Sequence, residues 1–206
     1  MKNLIVLLLL LCGTAFGQTV TDIDGNVYST KVYSSKTWMT ENLKVTRLND
    51  GTAILKAPTN KFPLVYTPQY AKYDTAPNNT YGAYYNWYVV NTGKLCPTGW
   101  SVPTTTDWQN LATSVGGSSI AGNMLKSATG WDTISKGTNS SGWKGLPAGY
   151  AATYGIYDNG NWWSSTITND TTAKDCAYYG RLYAAGKEIQ MPFLMKQYGI
   201  SVRCVK

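Results

Sequence analysis

The chain has 206 residues, of which 14% are charged and 13% are aromatic, and its formal net charge is +7. Histidine is absent, which excludes Ser-His and Cys-His nucleophile pairs and removes the commonest metal ligand. The lysines and arginines are spread along the chain without a cluster, so nucleic acid is not an expected partner.

The first residues have the pattern of a secretory signal. Lys2 precedes an apolar run from Leu4 to Cys12, and the small residues Ala15 and Gly17 follow it. We expect a signal peptide over residues 1–17, cleavage near Gly17/Gln18 and a secreted or outer cell-surface location. The run is shorter than the roughly 20 residues of a membrane span, so no transmembrane span is expected. Cys12 leaves lipid anchoring as an alternative to free secretion.

The remainder, residues 18–206, contains no linker-like stretch and is expected to form a single domain. Residues 27–39 alternate in the manner of strands around a Ser34-Ser35 turn, which predicts a hairpin. The preceding "DIDGN" is interpreted as a turn and not as a calcium loop, because Gly25 occupies the fourth and not the sixth position when Asp22 is counted as the first. Four prolines between Asn49 and Thr80 exclude long helices and indicate a surface excursion.

Helices are expected in the middle of the chain. "YGAYYNWYVVN" fits a short amphipathic helix or a strand, and the helix is preferred. Pro103 and the following threonines with Asp107 form a capping-box pattern, which starts a helix that Gly116-Gly117 ends. A second short helix is expected over residues 120–128. Everything after Thr129 has the pattern of strands and loops, so the fold class is α+β, with two short helices, antiparallel strands, long loops and paired N- and C-terminal strands.

Three cysteines follow the signal, namely Cys96, Cys176 and Cys204. In an oxidising compartment two of them should pair. We predict a disulfide between Cys96, before the first helix, and Cys204, in the last strand, because closing so long a loop contributes about 4–5 kcal/mol. Cys176 is then expected to be a buried, inert thiol. Finding Cys96 joined to Cys176, or free, would refute the predicted pairing.

Six motifs together resemble a known family. They are "DIDGNVYSTKVYSSKTWMTENLK", "YGAYYNWYVVN", "LCPTGWSVPTTTDWQNL", "GWKGLPAGY", "NWWSST" and "YGISVRCVK". The sequence is similar to the Fibrobacter succinogenes major paralogous domain (FISUMP) of secreted bacterial proteins. The resemblance implies a C-type lectin-like fold, related to that of formylglycine-generating enzymes, with a cysteine pair between the first helix and the last strand. The tripeptides of a lectin calcium site are absent, so calcium-dependent sugar binding is not implied, and no metal or cofactor is expected.

A binding surface is the first functional hypothesis. In "DCAYYGRLYAAG" Leu182 is expected to face the core, which places Tyr179, Arg181 and Tyr183 on the opposite, solvent-facing side. Tyrosine and arginine are typical anchors of interfaces. The neighbouring aromatic loop adds further candidate ligand-binding residues: Tyr157, Asn159, Asn161 and Trp162. The expected ligand is an unknown protein or glycan at the cell surface, and Asn159 to Tyr198 is the region where some relatives of the lectin fold are diversified.

Two alternatives remain. One is a formylglycine-generating-enzyme-like oxidoreductase, which would need a pair of reactive cysteines. The other is a structural surface or fimbria-tip subunit, which differs from a binding module only in its partner. Because no residues form a recognisable catalytic constellation, we expect that the protein is not an enzyme.

Overall fold

The computed structural model describes residues 18–58, 65–72, 80–132, 134–151 and 158–206. The expected signal peptide, residues 1–17, and the candidate residue Tyr157 therefore lie outside the described residues. None of the described helices is both long enough and apolar enough to cross a membrane.

The described residues form an α+β fold, as the sequence predicts. The helices are α1 (Trp87–Val90), α2 (Thr105–Ser114) and α3 (Ser118–Leu125). The strands are β1 (Thr19–Thr21), β2 (Val27–Tyr33), β3 (Lys36–Met39), β4 (Leu55–Lys56), β5 (Gln69–Lys72), β6 (Ala83–Tyr85), β7 (Asn159–Ile167), β8 (Cys176–Tyr183), β9 (Ile189–Gln190) and β10 (Phe193–Met195). They pair into three sheets in the orders β1-β2-β3, β4-β5-β6 and β10-β8-β7, with β9 also paired to β8. All pairs are antiparallel except β4 with β5.

The predictions that rest on local side-chain chemistry, namely the turns and the capped helix, are confirmed. The β2–β3 hairpin turns at Ser34, and Asp22 closes the preceding turn by accepting hydrogen bonds from Asp24 and Asn26. Helix α2 begins with the expected capping box: the Thr104 hydroxyl accepts from the Asp107 amide at 3.1 Å, and the Asp107 carboxylate accepts from the Thr104 amide at 2.8 Å. Gly116 and Gly117 end the helix at positive φ.

Two expectations about elements are wrong. The segment "YGAYYNWYVVN", for which a helix was preferred over a strand, contains both, namely strand β6 and the single-turn helix α1. The structure therefore describes three helices, one more than the two of the expected fold class. The Asn49–Thr80 excursion also contributes strands β4 and β5. Strand β5 is buried against β6, so this segment is partly core and not only surface.

The last residues of the chain run through the centre of the molecule. Residues 200–205 are all fully buried. The segment bridges Tyr85 of β6, Trp162 of β7 and Trp38 of β3, so it touches one strand of each sheet. The hydrogen bonds from Thr37 to Lys206 (2.9 Å) and from Met39 to Cys204 (3.0 Å) provide the expected pairing between an N-terminal strand and the C-terminal segment.

Two hydrophobic cores lie on opposite sides of this segment. Ile200, Val202 and Cys204 belong to the first core, which also contains Met39 and Trp163. Val205 belongs to the second, which is built around four tryptophans whose rings meet at centroid distances of 4.8–6.3 Å: Trp38, Trp108, Trp143 and Trp162. Neighbouring residues of β3 and β7 also belong to different cores: Met39 and Trp163 lie in the first, and Trp38 and Trp162 lie in the second. These strands therefore form a layer that is covered on both faces.

Arg203 brings a positive charge into the second core. Its guanidinium lies 3.9 Å from the Trp143 ring centroid. It donates to the Asn42 side chain at 2.9 Å, to the Lys144 carbonyl at 2.9 Å and to the Trp143 carbonyl. Burial lowers the pKa of Arg203 to about 9, which leaves the guanidinium charged at neutral pH. The planar fork and the aromatic stacking favour arginine over lysine at this position.

The predicted disulfide is present. Cys96 and Cys204 are bonded at 2.04 Å, which links the entrance of α2 to the central segment, and Cys176 is a buried free cysteine. We expect the Cys96→Ser/Cys204→Ser variant to lose about 4–5 kcal/mol of unfolding free energy, because the loop that the bond closes is long. Urea unfolding measures this loss. Cys176→Ala is the matched control, and an equal loss in the control would contradict the assignment.

The Arg203→Lys variant should lose about 3 kcal/mol, since an ammonium cannot make the three forked hydrogen bonds and leaves buried carbonyls unpaired. Arg181→Lys, in which a half-buried arginine with one side-chain hydrogen bond is changed, provides the control. Thermal unfolding of the oxidised proteins compares the two, and similar melting temperatures would show that the stacked guanidinium is not a structural element.

Candidate functional site

Strand β8 carries three of the predicted site residues, Tyr179, Arg181 and Tyr183. The face of β8 that carries Tyr179 was expected to be open to solvent, but the structure covers it at that residue. Leu182 packs in the second core as expected, but Tyr179 is only 4% exposed and packs in the first. The expectation that Tyr179 faces solvent is therefore wrong. Alternation correctly separates Tyr179 from Leu182, but both faces of this part of the strand are covered.

The neighbouring candidates on β7 are also buried. Trp162 is fully buried in the tryptophan core, where its indole N–H donates to Asn42 at 2.8 Å. Asn161 is fully buried and donates to the Gly149 carbonyl at 3.2 Å. Asn159 is 9% exposed. Since β7 lies between the cores, Asn161 and Trp162 are not on the exposed surface that the sequence predicted.

Arg181 and Tyr183 do reach the surface. Arg181 is half-buried, and its guanidinium lies 4.8 Å from the centroid of the Tyr183 ring, which is 39% exposed. The Arg181 Nε donates to the Asn159 side chain at 3.1 Å. Asn159 therefore orients the guanidinium, and the cation–π contact orients the tyrosine.

Two tyrosines that the sequence analysis missed extend this surface. The Tyr150 and Tyr179 hydroxyls lie 2.9 Å apart, and the Tyr150 ring meets the half-exposed Tyr198 ring edge-on at 6.4 Å. We call Tyr150, Tyr179, Arg181, Tyr183 and Tyr198 the tyrosine row. No periodic pattern marks Tyr150 or Tyr198, because each follows or precedes a turn outside the named strands.

The tyrosine row is connected to the first core through Tyr179. The Tyr179 ring packs edge-on against Trp163 at 6.3 Å, and the Trp163 indole donates to the Tyr85 carbonyl at 2.7 Å. Burial, together with the hydrogen bond to Tyr150, raises the pKa of Tyr179. The Tyr179 hydroxyl therefore stays protonated and joins the exposed rings to the core.

Two features of the described residues bear on metal and thiol chemistry: the placement of possible metal ligands and the surroundings of Cys176. In the described ranges, no group of three or more His, Cys, Asp or Glu side chains is placed to hold a metal ion. Burial and the nearby Asp175 carboxylate raise the pKa of the Cys176 thiol, which disfavours the reactive thiolate. Asp22, in the turn that resembles a calcium loop, accepts donors from its own chain, including the Tyr28 hydroxyl at 2.6 Å.

Comparison with known proteins gives one family match. The model of the Fibrobacter succinogenes major domain matches residues 32–206, which is most of the chain and includes every member of the tyrosine row. No curated protein and no solved structure matches the chain.

Cys176 should react slowly in the native protein. We expect alkylation by iodoacetamide at neutral pH to be at least roughly tenfold slower than in the urea-unfolded chain, because the thiol is buried and its pKa is raised. Mass spectrometry of the labelled protein measures both rates. Native labelling as fast as that of free cysteine would mark an accessible, ionised thiol and would revive the oxidoreductase alternative.

Proposed function

The chain belongs to the Fibrobacter succinogenes major domain family, and from that premise we propose that it is a ligand-binding or adhesion module displayed outside the cell. The observation that carries the proposal is the tyrosine row, a line of rings and one guanidinium that are fixed in position and partly open to solvent. Its expected partner is a protein or a glycan at a cell surface.

Pre-organisation is the physical support for this role. A tyrosine offers a large contact area with few rotatable bonds, so little conformational entropy is lost when a partner binds. Here the rings are already held by contacts with Arg181 and Trp163, which reduces that cost further. Half-exposed tyrosines beside an arginine are the composition that recurs in binding hot spots.

We also propose a C-type lectin-like arrangement and a signal-directed, extracellular location. The disulfide from the entrance of α2 to the central C-terminal segment and the pairing of that segment with β3 support the arrangement. A stable disulfide also fits an oxidising compartment. A structural role as a surface or fimbria-tip subunit would use the same exposed row with a neighbouring subunit as partner.

We propose a non-catalytic role over the oxidoreductase alternative. That chemistry needs two reactive cysteines, whereas Cys204 is bonded to Cys96 and the Cys176 thiol is buried. The tyrosine row contains one charged group, Arg181, whose Nε is already donated to Asn159. Such a row can hold a partner but supplies no general base.

Binding of the labelled mature chain to a glycan array and to intact bacterial cells tests the proposal. We expect saturable binding that the Arg181→Ala/Tyr183→Ala variant weakens at least roughly tenfold, because truncating hot-spot residues typically costs 2 kcal/mol or more. The melting temperature should change little, since Tyr183 is exposed and Arg181 is half-buried with one side-chain hydrogen bond to Asn159.

Tyr66→Ala is the matched control, because Tyr66 is a more exposed tyrosine that packs on Tyr88 and lies outside the row. Equal binding by the wild type, the double variant and the control would rule out the tyrosine row as the binding surface.

A further inference from the structure

A cleft of about 570 Å³ opens on another part of the molecule, between the β2–β3 region and the segments of residues 127–129 and 139–146. Its volume lies in the range of small-molecule sites. Its lining includes Thr40, Glu41 and Lys44, which follow β3, Ser127 and Lys144, which follow α3, and Arg203 of the central segment. None of the tyrosine-row residues lines it.

The charge of the cleft is positive. Lys44, Lys144 and Arg203 face one carboxylate, that of Glu41. One oxygen of Glu41 already accepts the Ser29 amide at 2.9 Å. In the part of the chain that the structure describes, the ion pairs are Arg47–Asp24 and Lys94–Asp50, so neither lysine of the cleft has an acidic partner.

Arg203 contributes a buried positive charge that no carboxylate in the described part of the chain neutralises. Its guanidinium has five N–H donors, and the chain uses three of them, all with uncharged acceptors. No carboxylate of the described residues pairs with this buried cation. A buried, unpaired positive charge projects a stronger field than a surface lysine does, because the surrounding dielectric is low. The cleft therefore favours an anion.

The backbone beside the cleft is fixed. Asn139 and Lys144 both adopt positive φ, at 50° and 58°, and the Asn139 side chain accepts the Lys144 amide at 2.9 Å. This geometry directs the Trp143 and Lys144 carbonyls to Arg203 while the Lys144 side chain stays exposed. Positive φ is uncommon for a non-glycine residue such as Lys144, and residues held in this way cluster at functional sites.

The hydroxyl groups of Thr40 and Ser127 indicate which functional groups a ligand of the cleft should carry. The Thr40 hydroxyl donates to the Ser29 carbonyl at 3.2 Å, and the Ser127 hydroxyl donates to the Thr129 carbonyl. With their protons committed, both oxygens keep acceptor lone pairs, and both residues line the cleft. The cleft thus combines cations, which suit a carboxylate, with acceptors, which suit the hydroxyl groups of a ligand.

We propose that this cleft binds a small organic acid that also carries hydroxyl groups, as a uronic acid does. The carboxylate lies between Lys44 and Lys144, within the field of Arg203, and the hydroxyl groups donate to Thr40 and Ser127. This site is separate from the proposed tyrosine-row surface and does not depend on it.

Calorimetric titration with D-glucuronate and D-galacturonate tests the proposal, with glucose and galactose as uncharged counterparts. We expect the acids to bind at least roughly tenfold more tightly than the neutral sugars, and added salt to weaken them. Lys44→Gln/Lys144→Gln should weaken uronate binding about tenfold or more. Lys136→Gln, an exposed lysine outside the cleft, should leave it unchanged.

Three outcomes would overturn the proposal: equal binding of acids and neutral sugars, unchanged uronate binding in the double lysine variant, or acetate and inorganic phosphate binding as tightly as the uronates. The Arg181→Ala/Tyr183→Ala variant should retain full uronate affinity. A failure of the cleft can therefore be told apart from a failure of the tyrosine row.

Discussion

The structure depends on the hydrogen bonds that hold residues 200–206 between the three sheets. The segment pairs with β3, β6 and β7, buries the side chains of residues 200–205 and presents alternate residues to two different cores. The Cys96–Cys204 bond adds a covalent link from the same segment to the entrance of α2. Because one stretch of backbone forms hydrogen bonds with a strand of every sheet, the sheets cannot shift independently. The positions of surface side chains such as Tyr183 are therefore fixed by a rigid interior.

Arg203 shows how the same segment links the core to the surface. Its stacking on Trp143 and its bonds to the Trp143 and Lys144 carbonyls complete the tryptophan core. The same guanidinium gives the cleft beside it a positive field. A hydrophobic residue of equal volume could fill the space but would leave the Asn42, Trp143 and Lys144 acceptors without this donor. Arg203 therefore has a structural role through its hydrogen bonds and ring stacking, and we propose that its charge also serves the cleft.

Residues whose chemistry acts locally or covalently were predictable from the sequence. The Thr104–Asp107 capping box, the β2–β3 turn and the Cys96–Cys204 pairing follow from side-chain type and position along the chain. Alternation in β8 separates Tyr179 from Leu182 but does not reveal that a second core covers Tyr179. The cleft was not predictable, because residues distant in sequence, from Glu41 to Arg203, meet only after the central segment is in place. The partners Tyr150 and Tyr198 are likewise brought to Tyr179 by tertiary contacts.

The central position of residues 200–206 also bears on how the molecule is made. These residues are synthesised after all the other described parts, yet each sheet relies on them for hydrogen bonds. A nascent chain that lacks them leaves strand edges open in all three sheets and cannot close either core. Contacts of such long sequence separation also slow folding. For a chain that we propose is exported, the three sheets therefore stay incomplete until residues 200–206 are available for pairing.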